Sequence, residues 1–286
     1  MNRSTVIRLI PAGIALAALT ALAAILKRGH VPDREGESTM SKSADERPKS
    51  YGEEGQAHSA SWGYTGDIGP AHWGDLAPEF AVCKTGVSQS PIDLNDAPEV
   101  RPHELEFRYA PVPLEIVNNG HTIQVNYSSG STLIAGGKEY ALVQFHFHRL
   151  SEHTVSGQPA DMELHFVHQD AAGGLAVVGV LLNSGRHNQA LEQVWVHMPT
   201  EADDKQIVAG TTINAADLLP ANLSYFSYMG SLTTPPCSEG VRWFVLRNVV
   251  ELSPAQLDRF AALYPDNARP VQPLNGRAIT YSQASE

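Results

Sequence analysis

From residue 61 onward, aromatic and branched residues alternate with polar ones in short runs, the period-two signature of half-buried β-strands. Such runs cover residues 114–118, 122–127, 131–135, 140–149, 162–168, 175–182 and 241–246. Turn clusters such as Asn118-Asn119-Gly120 and Ala135-Gly136-Gly137 separate them. Helical spacing is confined to residues 188–197 and 254–263, the latter opening with Ser253 as N-cap and Pro254 in the first turn. There is no internal repeat and no boundary for a second domain. The pattern predicts a mainly β, single-domain fold, with one large, predominantly antiparallel sheet, long loops and short peripheral helices.

Two of these runs carry polar groups where a core face is expected. In Gln144-Phe145-His146-Phe147-His148, strand parity puts Gln144, His146 and His148 on one face, with Phe145 and Phe147 on the other. In Glu163-Leu164-His165-Phe166-Val167-His168, Glu163, His165 and Val167 share a face. Three imidazoles on a stiff sheet are the donor set of a catalytic zinc with its fourth position open. Gln144 and Glu163 then suit acceptors for the protons on non-ligating ring nitrogens. Imidazole also binds cobalt and iron, so Zn²⁺ rests on less than the ligand set does. His153 and His168 are assigned structural or surface roles.

The first thirty residues stand apart. Arg3 and Arg8 precede an apolar run over residues 9–26, followed by Lys27 and Arg28. This length fits either a signal peptide, cleaved near Ala21-Leu22-Ala23, or a retained membrane anchor. Either reading exports the domain, to the periplasm or the extracellular space, and the second tethers it to the inner membrane. Residues 31–60 are rich in charge, Ser and Gly and are read as a flexible polar linker, so the folded domain spans 61–286. A net charge of −11 excludes a nucleic-acid partner, because no basic stripe is present to neutralise phosphates. Cys83 and Cys237 form one disulfide in an exported chain and are buried free thiols otherwise.

Residues 144–148, Ser151-Glu152-His153-Thr154-Val155 and Glu163-Leu164-His165 resemble the zinc-site segments of the α-class carbonic anhydrases. Trp62-Gly63-Tyr64, Gln89-Ser90-Pro91-Ile92-Asp93, Asn118-Asn119-Gly120-His121, Ser231-Leu232-Thr233-Thr234-Pro235-Pro236 and Gln272-Pro273-Leu274-Asn275-Gly276-Arg277 match further family segments, in the family's order. The resemblance implies a twisted sheet of about ten strands and reversible hydration of CO₂ to bicarbonate and a proton. It makes His146, His148 and His165 the zinc ligands, with Thr233 and Glu152 orienting a zinc-bound hydroxide. It places Val167, Val177, Leu232 and Trp243 along an apolar substrate wall, with Thr234 beside it. By the same likeness His121 is the proton shuttle, and Tyr64, Asn119 and Gln124 order its water chain. Cys83 and Cys237 match the disulfide of exported members. Arg149 stands where animal members carry Trp, and the gap from His148 to the Glu152 segment is shorter, which points to a bacterial-type member.

Other readings are a non-catalytic binding module on the same fold, a zinc hydrolase acting on peptides or esters, and a tethered adhesin. The full ligand set with Thr233 and Glu152 argues against the first, and the lack of a His-Glu-x-x-His helix against the second. Partners beyond CO₂ and bicarbonate are limited to a membrane through residues 1–30, if uncleaved, and a second copy in a homodimer.

Overall fold

The alternating runs become the strands of one sheet in a computed structural model, which describes residues 61–95, 97–100 and 105–284. Three two-residue strands, β1 (Asp93–Leu94), β7 (Thr154–Val155) and β8 (Gln158–Pro159), form a small separate sheet. The large sheet holds β2 (Leu105–Arg108), β3 (Val112–Asn118), β4 (Ile123–Asn126), β5 (Thr132–Ala135), β6 (Lys138–His148) and β9 (Met162–Gln169). It continues with β10 (Leu175–Ser184), β11 (Lys205–Ile213), β12 (Tyr225–Ser231), β13 (Glu239–Leu252) and β14 (Thr280–Ser282). Spatial order is β11-β3-β4-β6-β9-β10-β13-β12-β14, with β5 also paired to β6 and β2 to β5. The β10–β13 ladder is parallel and the other ladders of this sheet are antiparallel.

Register explains where the core sits. Ile116, Val125, Phe145, Phe166, Val178 and Phe244 face one another in a single row across six strands. All six are buried in the main core, together with Leu191, Val194 and Trp195 of α3 (Gln189–Trp195) and Phe260 of α4 (Pro254–Ala261). Each such side chain stabilises the fold by about 1.5–3 kcal/mol through burial. A smaller cluster on the opposite face contains Val177, Leu181, Trp243 and Val245.

Both expected helices form, each shorter than its apolar spacing suggests. Asn188 caps α3, its side chain accepting from the Leu191 amide at 3.0 Å. Ser253 and Gln256 exchange hydrogen bonds as a capping box on α4, and Pro254 occupies the first turn. The strands not anticipated lack the signal on which that reading depends. β11 is an exposed edge strand and so does not alternate, while β12 is interrupted by Ser227, Gly230 and Ser231. Two one-turn helices, α1 (Trp73–Leu76) and α2 (Val82–Thr85), are too short to show a period.

The signal or anchor over residues 1–30 and the linker over 31–60 lie outside the described residues. Among those described, no helix is long and apolar enough to cross a membrane.

Candidate metal centre

One residue out of step with the apolar row runs a second row on the opposite face: Val117, Gln124, His146, His165, Gly179 and Val245. His146 and His165 are thus direct neighbours across β6 and β9, and His148 is opposite Glu163. The three imidazole centroids stand 5.0, 5.3 and 4.6 Å apart. One nitrogen from each ring lies within 4.8 Å of the others.

The second nitrogen of each ring is occupied. His146 Nδ1 meets Gln144 Oε1 at 2.8 Å, His148 Nδ1 meets the Asn267 carbonyl at 2.8 Å, and His165 Nε2 meets Glu163 Oε1 at 2.9 Å. An acceptor at that nitrogen demands N–H there, so a neutral ring keeps its lone pair on the other nitrogen. The lone pairs of His146 Nε2, His148 Nε2 and His165 Nδ1 are therefore the ones left for a metal. His148 Nε2 is buried with no hydrogen-bond partner, a costly state that a metal ion relieves. The donor set fits zinc.

Electrostatics favour neutral ligands at two positions. Burial, reinforced by the neighbouring imidazoles, pushes His146 well below the usual histidine range, and burial lowers His148. At His165 burial acts in the same direction, but the Glu163 carboxylate outweighs it and holds the imidazole above its ordinary value. Burial alone would raise Glu163, yet His153 and His165 hold it well below the usual carboxylate range. Its other oxygen accepts the Glu152 and His153 amides at 2.9 and 2.8 Å, so this charge has four donors.

The remaining expected residues surround this centre. Glu152 is buried with Oε1 accepting the Arg269 amide at 2.9 Å, and its Oε2 has no partner and lies 3.9 Å from His165 Nδ1. Thr233 is buried, and no hydrogen bond joins it to Glu152 in this structure. Val167, Val177 and Trp243 form a continuous cross-strand row that begins at Gln144, and Leu232 packs against the same cluster. The Cys237 amide donates to the Thr234 carbonyl at 2.8 Å, and Cys83 and Cys237 form a disulfide across 154 residues. His121 is stacked on Trp62 with centroids 3.7 Å apart, and Tyr64 meets the Trp62 ring edge-on. Asn119 Oδ1 accepts the His121 and Thr122 amides at 3.0 and 2.9 Å, and its Nδ2 reaches Gln124 Oε1 at 3.4 Å. His153 and His168 are both buried and hydrogen-bonded, structural rather than surface groups.

Two residues escaped sequence reasoning. Asn267 orients His148 through its carbonyl, while its side chain accepts the Arg149 amide at 2.7 Å and donates to the His121 and Phe147 carbonyls. Arg269 is buried and ties the Glu152 segment to Gln89, Ser90 and Cys83. Both lie in a stretch without regular structure, where periodicity is silent; two polar residues so close in an irregular segment were the only visible signal. Arg149 leaves the metal face and binds the Pro265 carbonyl, beside the segment that holds His148.

The family description "eukaryotic-type carbonic anhydrase" matches residues 68–283. The chain belongs to this family. Carbonic anhydrases of Nostoc sp. and Pectobacterium atrosepticum are 45% and 43% identical to it, covering 78% of this chain and 87% and 91% of theirs. The structure of the α-carbonic anhydrase from Thermovibrio ammonificans with the inhibitor sulfanilamide superimposes with a TM-score of 0.76 at 48% identity. That match covers 78% of this chain and 99% of the other. The chain is accordingly an enzyme of bacterial kinship within the family, and its eleven-stranded mixed sheet agrees with the fold the motifs implied.

Proposed function

We propose that this enzyme hydrates CO₂ reversibly to bicarbonate and a proton at a zinc ion held by His146, His148 and His165. The observation that carries the reading is the convergence of three imidazoles whose outer nitrogens are each fixed by an acceptor. Zinc bound there supplies hydroxide near neutral pH, because coordination lowers the pKa of a water to about 7.

The chain's own residues aim and confine the reaction. Glu152 Oε2 has a lone pair without a partner, and the family resemblance makes it the acceptor to which the Thr233 hydroxyl would donate when metal is bound, keeping its own lone pair for the nucleophile's proton. Thr233 so held would aim the nucleophile at the carbon and reject groups without a proton to give. Val167, Val177, Leu232 and Trp243 present apolar surface to an apolar substrate and keep water from competing for its place. Thr234 and Gln124 form the polar side. His121 accepts the product proton through water ordered by Tyr64, Asn119 and Gln124 and passes it to buffer. Burial lowers His121 from its ordinary value and Asp203 opposes the shift, which leaves it a group able to release what it accepts.

The enzyme works outside the cytoplasm, with residues 1–30 as signal or anchor and 31–60 as tether. The disulfide supports export. N-terminal sequencing of protein from membrane and soluble fractions separates anchor from signal.

Zinc analysis combined with a CO₂ hydration assay tests the function. One zinc per chain and activity that disappears on chelation and returns with zinc are expected; full hydration activity in metal-free protein would sink the reading. His121→Ala should slow turnover in dilute buffer, with recovery on adding imidazole, and unchanged turnover removes the shuttle.

A further inference from the structure

His121 lies in the turn that joins β3 to β4, and among the described residues nothing hydrogen-bonds to its ring. The imidazole rests on Trp62 with centroids 3.7 Å apart and planes 7° from parallel. Its place is therefore set by the backbone of residues 119–122, and that backbone hangs from Asn118. Asn118 ends β3 and is only 3% exposed. Its amide donates to the Asp204 carbonyl at 3.0 Å, and its carbonyl accepts the Asp203 amide at 2.7 Å.

The Asn118 side chain binds in three directions. Nδ2 donates to the Pro199 carbonyl at 3.0 Å, while Oδ1 accepts the Gly120 amide at 3.1 Å and the Tyr264 hydroxyl. Two bonds accepted and one donated call for an amide, because a carboxylate has no donor to offer Pro199. The bond from Gly120 fixes the residue just before His121, where a φ of +81° favours glycine. On the far side, Asn267 Nδ2 donates to the His121 carbonyl at 3.0 Å.

Tyr264 reaches this turn from the other side of the sheet. It follows α4, its amide donates to the Phe260 carbonyl at 3.0 Å, and its ring packs on Phe260 and the main apolar core. Burial raises its hydroxyl to about 12, so the group stays a donor. One side chain thus joins the apolar core to the turn that carries His121.

We propose that Tyr264 and Asn118 are positioning residues for proton transfer: the Tyr264 hydroxyl, through Asn118 Oδ1, holds the 119–122 turn so that His121 stays stacked on Trp62. The proposal rests on the shuttle reading above and goes beyond it by naming what holds the shuttle in place.

The test uses full-length, zinc-loaded protein. Tyr264→Phe removes the hydroxyl and leaves the ring in the core. In dilute buffer, where delivery of the proton to solvent limits kcat, it should lower kcat about two- to tenfold. The kcat/KM for CO₂ should not change, and imidazole buffer should restore kcat. Asn118→Ala should lower kcat at least as far, and adding Tyr264→Phe to it should have no further effect, because the hydroxyl acts through that amide. The NMR signals of the His121 ring protons give a readout independent of turnover. Stacking on Trp62 places them upfield in the wild type, and Tyr264→Phe should move them toward an ordinary imidazole. Leu133→Ala, a core change in β5, controls for lost stability and should alter neither kcat nor these signals. Wild-type kcat in Tyr264→Phe, an equal fall in kcat and kcat/KM, or unmoved His121 signals overturns the proposal. Unchanged turnover in His121→Ala overturns the shuttle reading instead, and the ring signals still decide whether Tyr264 holds the turn.

Discussion

The row Ile116, Val125, Phe145, Phe166, Val178, Phe244 and the row Val117, Gln124, His146, His165, Gly179, Val245 cross the same six strands, one residue apart and on opposite faces. The first is held by contacts among its own members and the helices packed on it, including edge-to-face rings such as Phe147 against Trp195 at 4.7 Å. The second is also largely buried, but its imidazoles cannot satisfy one another. Each, like His148 beside them, needs a partner from elsewhere: Gln144 and Glu163 two residues back on the strands of His146 and His165, and for His148 the Asn267 carbonyl 119 residues downstream. An apolar face tolerates imperfect neighbours and a buried polar face does not, since a donor left without an acceptor costs about 1–3 kcal/mol. Stability resides mainly on one side of the sheet and chemistry on the other.

Adjacent residues of β9 offer the sharpest way to break this contrast. His165→Ala should abolish zinc retention and CO₂ hydration while the protein stays folded, as read by metal analysis, assay and circular dichroism. Stoichiometric zinc in that variant would erase the distinction. Phe166→Ala, one position on, should cost about 3–5 kcal/mol in urea unfolding, with zinc still bound by the folded fraction. Glu163→Gln replaces an acceptor serving four donors and should weaken zinc binding by roughly 10–100-fold, measured by competition with a chelator.

The smallest effect concerns His168, which extends from β9 on the apolar side and bonds Tyr109 Oη at 2.7 Å. Burial drives its pKa down to about 3, so the folded protein keeps it neutral. The unfolded chain binds that proton below about 6.5. The stability is therefore complete above that pH and declines as pH falls toward the folded value, by about 2 kcal/mol at pH 5. His168→Gln should flatten the dependence between pH 7 and pH 5 in chelator-treated protein; equal slopes for the two proteins would contradict the assignment.

The same contrast explains what the sequence could reveal. Alternation exposes a face whose partners are its own neighbours, so the apolar row and the parity of His146, His148 and His165 were both legible. Gln144 and Glu163 were legible because they lie on those strands at even spacing. Asn267 and Arg269 were not, because they reach the centre from an irregular stretch and only folding in three dimensions places them there. His153 could be recognised as structural but not as a link between Glu163 and Tyr228, because nothing local connects residues 153 and 228. Edge strand β11 was invisible for the opposite reason: it buries too little to leave a pattern.

The hydrogen bond from His148 to the Asn267 carbonyl also sets an order of events in the life of the chain. During synthesis the three histidines leave the ribosome about a hundred residues before the group that aims one of them, so the centre is complete only after residue 267 has emerged. A chain ending before residue 265 should take up zinc more weakly than the whole protein even with all three histidines present, as competition with a chelator would show.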